Sequence, residues 1–120
     1  MIVGIGNDII SVKRIQNVIA RRGRRFIERT YTTNEQEYCD SHRESFRNYA
    51  GRFAAKVAIV KAIGSGFSGG ITWLDFEILN NPLGKPEVRL SDKLKEMIGA
   101  CTIHLSISHC EEYAAAVALI

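Results

Sequence analysis

The sequence predicts an α+β fold, a small antiparallel sheet packed with helices around one long central helix, and three observations lead there. Between about Glu44 and Ile63 apolar residues recur at three- and four-residue intervals, through Phe46, Tyr49, Ala50, Phe53, Val57 and Val60, with no proline among them. From Ile71 to Leu79 the period changes to two. The remaining strand-like segments lie at the two ends of the chain, so the helices are grouped between the first strand and the later ones.

Taken in order, Met1 to Gly6 reads as a short apolar strand ending at Asp8. Ser11 can cap a helix whose apolar residues Val12, Ile15, Val18 and Ile19 share one face, which leaves Arg14, Arg21 and Arg22 towards solvent. Thr32 and Glu35 have capping-box spacing, so a helix should begin there and run towards Cys39. The long helix follows, stopped by Gly64. In the strand from Ile71 to Leu79, Thr72, Leu74, Phe76 and Ile78 point one way and Ile71, Trp73, Asp75 and Glu77 the other, with a second subunit as one cover for Trp73. Asn80 to Pro86 is a turn, Glu87 to Leu90 a short strand, and Ser91 the cap of a helix ending near Gly99. Thr102 to Ser108 and Tyr113 to Leu119 should pair as an antiparallel hairpin.

At 120 residues the chain is expected to form one domain spanning residues 1–120, with a high surface fraction that favours self-association. The formal net charge is only +3, yet Lys13, Arg14, Arg21, Arg22, Arg24 and Arg25 lie close together with no acidic residue among them. This patch points to an acidic partner. A nucleic-acid-binding reading of it finds only Phe26 nearby for base stacking, which argues against it. Cys39, Cys101 and Cys110 lack metal-ligand spacing, and the chain shows neither a signal-like start nor an apolar run long enough to span a bilayer. A reducing cytoplasm, with no membrane contact, is the expected location.

Several residues could carry chemistry. Gly64, Gly66 and Gly69 satisfy GxGxxG formally, but a helix precedes them and a strand follows, the reverse of the dinucleotide-binding context. Such a loop is either a plain helix stop or a source of backbone N–H groups for phosphate. Asp8 is either a turn residue or a metal ligand. Lys61 shares the helix face of Phe53 and Val57, where it either snorkels to water or holds a phosphate in front of the glycine loop. His104, Ser106 and Ser108 share one strand face, and no acid stands at triad spacing, so a subunit interface or ligand surface is a better reading than a Ser-His hydrolase.

Together these residues are more specific than any one of them. Gly4-Ile5-Gly6-Asn7-Asp8-Ile9 with Arg14-Ile15, Arg52-Phe53-Ala54-Ala55-Lys56 followed by Ala58 and Lys61-Ala62, Gly84-Lys85-Pro86, and Ser106-Ile107-Ser108-His109 followed by Tyr113-Ala114 closely resemble holo-acyl-carrier-protein synthase, the small bacterial class of the 4′-phosphopantetheinyl transferase superfamily. The resemblance implies transfer of the 4′-phosphopantetheine arm of coenzyme A to a serine of apo acyl carrier protein, in fatty acid biosynthesis, with release of adenosine 3′,5′-bisphosphate. It further implies a homotrimer with active sites between subunits. By the same resemblance, Asp8 is a magnesium (Mg2+) ligand, Lys61 contacts the pyrophosphate, and Ser65 and Gly66 lie near the phosphates. Arg52, Gly84, Lys85, Pro86, His104, Ser106 and His109 line the coenzyme A cleft, some of them from the neighbouring subunit. Arg14, Arg21, Arg22, Arg24 and Arg25 receive the acidic recognition helix of the carrier protein, in agreement with the charge cluster.

One position departs from the pattern. After Ala-Ala-Lys the family carries a glutamate that completes the magnesium site with the aspartate, and here that position is Val57. A valine neither ligates a cation nor accepts a proton. The sequence therefore supports two functional expectations, an active transferase and a protein that keeps the coenzyme A cleft but turns over poorly. Leu83, before Gly84, stands where related proteins often carry a polar residue.

Overall fold

A computed structural model describes residues 1–120. The element order is β1 (Ile5–Ser11), α1 (Val12–Arg22), α2 (Arg24–Thr30), α3 (Thr33–Asp40), α4 (Ser45–Ile63), two 3-10 turns (Ser68–Gly70 and Trp73–Asp75), β2 (Phe76–Asn80), β3 (Pro86–Leu90), α5 (Asp92–Ile98), β4 (His104–His109) and β5 (Tyr113–Leu119). The fold is α+β. One sheet has the order β1-β5-β4, antiparallel throughout, and β2 and β3 form a separate hairpin.

α4 lies across the three-stranded sheet, and the two meet through small side chains. Ala50, Ala54, Ala55, Ala58 and Ala62 are buried on the helix, as are Ala114, Ala116 and Ala118 on β5. Removing these methyls from water drives the contact, and their size lets helix and sheet approach closely. β1 comes closer still. A Cβ on Gly4 would collide with the Ala62 carbonyl and one on Gly6 with the Ala58 carbonyl, so both positions require glycine on steric grounds alone.

The local end signals act as expected. Ser11 Oγ accepts the Arg14 N–H, Ser91 Oγ accepts the Leu94 N–H, and Thr32 with Glu35 forms a reciprocal capping box. Gly64 closes α4 at φ 87°.

Three expectations need correction. β1 does not end at Asp8 but continues to Ser11, because its register against β5 runs from Ile5–Leu119 to Ser11–Tyr113, so Asp8 sits mid-strand. α2 was not foreseen: Gly23, at φ 65°, starts it without a side-chain cap, and packing of Ile27 and Thr30 holds it in place. Residues Ile71 to Asp75 are not strand. Thr72 N–H donates to Asp75 Oδ2 at 2.7 Å and Asp75 N–H returns to the Thr72 carbonyl at 3.1 Å, which closes a 3-10 turn. Trp73 is covered within the chain, its ring 5.1 Å from Phe53 and 4.4 Å from Phe67.

One buried knot ties these layers together. The Lys56 ammonium donates to the Thr30 carbonyl (2.7 Å), Glu35 Oε1 (2.7 Å) and the Trp73 carbonyl (3.0 Å), using its three N–H groups. Glu35 in turn accepts the N–H of Thr32 on Oε1 and of Ile78 on Oε2, both at 2.8 Å. Both side chains are fully buried. Desolvation pulls the Lys56 pKa below the ordinary lysine value, against the Glu35 carboxylate, which raises it. Nearby, burial pushes the Cys39 thiol up to about 12, so it is an inert core residue.

Candidate active site

The residues singled out in the sequence fall into two clusters and three exposed surfaces. The first cluster is the corner where β1 meets α4. Because β1 is pressed onto the helix by Gly4 and Gly6, Asp8 is carried up to Lys61: the ammonium donates to the Asn7 carbonyl at 2.9 Å and stands 3.6 Å from Asp8 Oδ1. The Lys61 side chain is 53% exposed and that of Asp8 is 18% exposed. The ion pair is long and open, so Lys61 keeps N–H donors free for an incoming anion. Val57, one helical turn before Lys61, is half-buried. No group of three or more His, Cys, Asp or Glu side chains in the chain is placed to hold a metal. Asp8 already faces an ammonium and Val57 offers no ligand, so the residues present do not by themselves fit a resident metal ion.

The second cluster surrounds Arg52, which is 4% exposed. Its Nη2 donates to Asn80 Oδ1 at 2.7 Å, its guanidinium lies 4.1 Å from the centre of the Tyr38 ring, and its Nε is buried with no partner. A cleft of about 210 Å³ opens beside it, and Gly84, Pro86 and His109 contribute to its walls. The turn over this cleft is built by Asn81, whose Oδ1 accepts the N–H of Leu83 and of Lys85, each at 2.9 Å. Gly84 supplies the positive φ of 89° that the turn requires. Lys85 and Leu83 project into solvent.

The three surfaces are set by strand parity and helix phase. His104 and Ser106 pair with Leu119 and Val117 on the open face of the sheet, whereas His109 has the opposite parity and reaches the Arg52 cleft. Ser65 and Gly66 lie in an exposed loop after α4. Arg14, Arg21 and Arg22 line a shallow depression of about 580 Å³ with Lys13 and Phe26; Arg25 is exposed beside them. Arg24 is turned aside, its Nη2 on Gln36 Oε1 at 2.9 Å and its Nε 3.6 Å from Glu28.

Arg52 and Lys61 point in nearly opposite directions from α4, since nine residues amount to about two and a half turns and about 13.5 Å of rise. Within one copy of the chain the two clusters therefore do not share a pocket. Sequence reasoning missed Tyr38 and Asn80, which hold Arg52. The polar Asn80 before the turn was the one available sign, and nothing local marks Tyr38.

A buried guanidinium lining a cleft, an exposed lysine at a helix end and a basic surface are the chemistry that suits a polyanionic small molecule and an acidic partner. Residues 4–118 match the family model of the 4′-phosphopantetheinyl transferase superfamily, and the chain belongs to that superfamily. It is 51% identical to a holo-[acyl-carrier-protein] synthase of Protochlamydia amoebophila, covering 99% of this chain and 98% of that one. It is 47% identical to the synthase of Ruminiclostridium cellulolyticum, covering 97% and 90%. Among solved structures, the synthase of Neisseria meningitidis superposes with a TM-score of 0.90 at 34% identity, covering 99% of this chain and 98% of that chain. The Helicobacter pylori synthase in complex with coenzyme A gives 0.86 at 32% identity, covering 95% and 96%.

Proposed function

We propose that this chain transfers the 4′-phosphopantetheine arm of coenzyme A to a serine hydroxyl of an apo acyl carrier protein, releasing adenosine 3′,5′-bisphosphate, in the cytoplasm and in the service of fatty acid synthesis. The observation that carries the reading is Arg52, a nearly buried cation that lines a cleft with Gly84, Pro86 and His109 and whose Nε has no partner in the chain. A buried charge of this kind is stabilised by an anion, and coenzyme A offers three phosphates. The names of the relatives and the coenzyme A in the Helicobacter pylori neighbour support the same substrate.

In the reaction the serine oxygen bonds to the phosphorus bearing pantetheine, the P–O bond to the nucleotide breaks, and the serine proton leaves for a base. Lys61 offsets the charge that gathers on the departing phosphate. Ser65 and Gly66 lie on the same side of α4 as its C-terminal end, within the loop that would meet those phosphates. Asp8 is the group at this corner able to accept the serine proton. A magnesium ion carried in with the pyrophosphate would find Asp8 at this corner, and phosphate and water oxygens would have to supply its other ligands.

The separation of Arg52 from Lys61 supports a shared site. Ile5, Ile9, Tyr113 and Val117 stand exposed on the open sheet face beside His104 and Ser106, and a trimer that covers this face would bring His104 and Ser106 of one copy towards the clefts of another. Arg14, Arg21, Arg22 and Arg25 suit an acidic carrier-protein helix, and Lys85, exposed on the Gly84 turn, serves as a coenzyme A contact.

The test is to incubate the protein with magnesium, coenzyme A and apo acyl carrier protein and follow the carrier protein's mass, beside a Val57→Glu variant. We expect slow conversion by the natural chain and faster conversion by the variant, by on the order of a hundred- to ten-thousand-fold if the glutamate serves as base. Absence of conversion by both overturns the reading. Val57 supports a second reading, a coenzyme A-binding protein without transfer, for which coenzyme A binds and only the variant modifies the carrier.

A further inference from the structure

We infer that Tyr38 and Asn80 are positioning residues that hold the Arg52 guanidinium and the Gly84 turn as one unit for coenzyme A; the inference rests on the substrate proposed above. Arg52 arises from α4, Tyr38 from α3, and Asn80 from the last position of β2, so three elements converge on one guanidinium. Each contact fixes a different degree of freedom. The Tyr38 ring, 4.1 Å away, carries the cation at its centroid. Asn80 Oδ1 takes one Nη2 proton at 2.7 Å, which sets the rotation of the fork in its plane. The Asn80 amide then donates through Nδ2 to the Gly84 carbonyl at 2.9 Å. One side chain thereby couples the arginine to the turn that walls the same cleft.

Nη2 on Asn80 is the guanidinium's one side-chain hydrogen bond, and its Nε is buried without a partner although Arg52 lines the cleft. Every N–H of Lys56 is paired, whereas the Arg52 Nε is the one buried side-chain polar atom left without a partner. Tyr38 is itself braced: the His42 imidazole rests 4.2 Å from the same ring, and His42 Nδ1 lies 2.6 Å from the Tyr38 carbonyl. The arrangement presents a preset fork to an anion and removes the ordering that a free arginine would undergo on binding.

Titration calorimetry with coenzyme A tests this on the natural chain and on Tyr38→Phe, Tyr38→Leu, Asn80→Asp and Arg52→Ala, with circular dichroism to verify folding. Tyr38→Phe keeps the ring face and should bind within about twofold of the natural chain, whereas Tyr38→Leu should lose about tenfold. Asn80→Asp keeps the shape but sets a carboxylate on Arg52 and withdraws the donor to Gly84, and should also lose about tenfold. In an Arg52→Ala background the Tyr38→Leu loss should vanish. Should Tyr38→Leu fail to fold, Asn80→Asp decides the matter, natural-like binding by the folded variant overturning the inference. Folded Tyr38→Leu and Asn80→Asp proteins that bind like the natural chain overturn this inference alone. A natural chain that takes up no coenzyme A overturns the substrate reading and this inference with it.

Discussion

Lys56 and Lys61 stand five residues apart on α4 and each faces a carboxylate, yet their surroundings differ at every point. Lys56 is fully buried and uses all three N–H groups within 3.0 Å, on Glu35 and two carbonyls. Lys61 is half exposed, holds one carbonyl at 2.9 Å and keeps its carboxylate at a loose 3.6 Å. Saturation marks the first as part of the fold. Spare N–H groups leave the second free to take an anion from outside the chain. Arg52 extends the contrast: its Nε is buried without a partner, whereas every N–H of Lys56 is paired.

The largest effect should come from the saturated side. Lys56→Met leaves the Glu35 carboxylate buried without its cation and should cost about 3–5 kcal/mol, read as a lower urea midpoint. A change of less than about 1 kcal/mol would show that water reaches Glu35 and would erase the contrast. Next is Gly6→Ala, which drives a Cβ into the Ala58 carbonyl. It should lower stability by about 1–3 kcal/mol and also slow carrier-protein modification, since it moves the strand bearing Asp8.

Asp75 is an intermediate case, a buried carboxylate with an exposed lysine. Burial raises its pKa, but the Thr72 N–H, Ser91 Oγ and Lys93 outweigh it and hold the carboxyl below its ordinary value. A depressed folded-state pKa means that its stabilisation is present above the unfolded value of about 3.9 and is lost as pH falls through the folded one. Asp75→Asn should therefore be less stable than the natural chain by about 1–3 kcal/mol at pH 7. The gap should narrow as denaturation is repeated at successively lower pH below about 4. A gap that stays constant into acid would assign the loss to packing. The smallest effect on stability belongs to Lys61→Ala, within about 1 kcal/mol, while carrier-protein modification should fall sharply; intact turnover would remove Lys61 from the site.

How much of this was legible depended on distance along the chain. Ser11, Thr32 with Glu35, Gly64 and Ser91 act within a few residues of themselves, and all could be read directly. α2 could not, because Gly23 offers no side chain to cap it and the burial of Ile27 comes from the rest of the fold. The alternation from Ile71 to Glu77 read as strand because a 3-10 turn closed by Thr72 and Asp75 leaves the same pattern of apolar residues. At the site, the motifs named residues but not their directions. The opposed faces of Arg52 and Lys61 follow from helix phase, the split of His104 and Ser106 from His109 follows from strand parity, and the partner of Lys56 lies back in α3. Asp8 was read as following a strand, and its true place in β1 follows from pairing with a segment at the other end of the sequence.

That pairing has a consequence for how the protein is made. Ile5 lies opposite Leu119 and Ser11 opposite Tyr113, so β1 has no strand partner until the hundred or so residues between the two strands have been synthesised. A ribosome adding residues in order would release the Asp8 corner incomplete, with α4 waiting for the alanine face of β5. Contacts of such long sequence separation slow folding and leave an apolar strand edge uncovered meanwhile. Chains stalled before β5 should therefore lack an assembled Asp8 corner, and the nascent protein should lean on chaperones until β5 is in place.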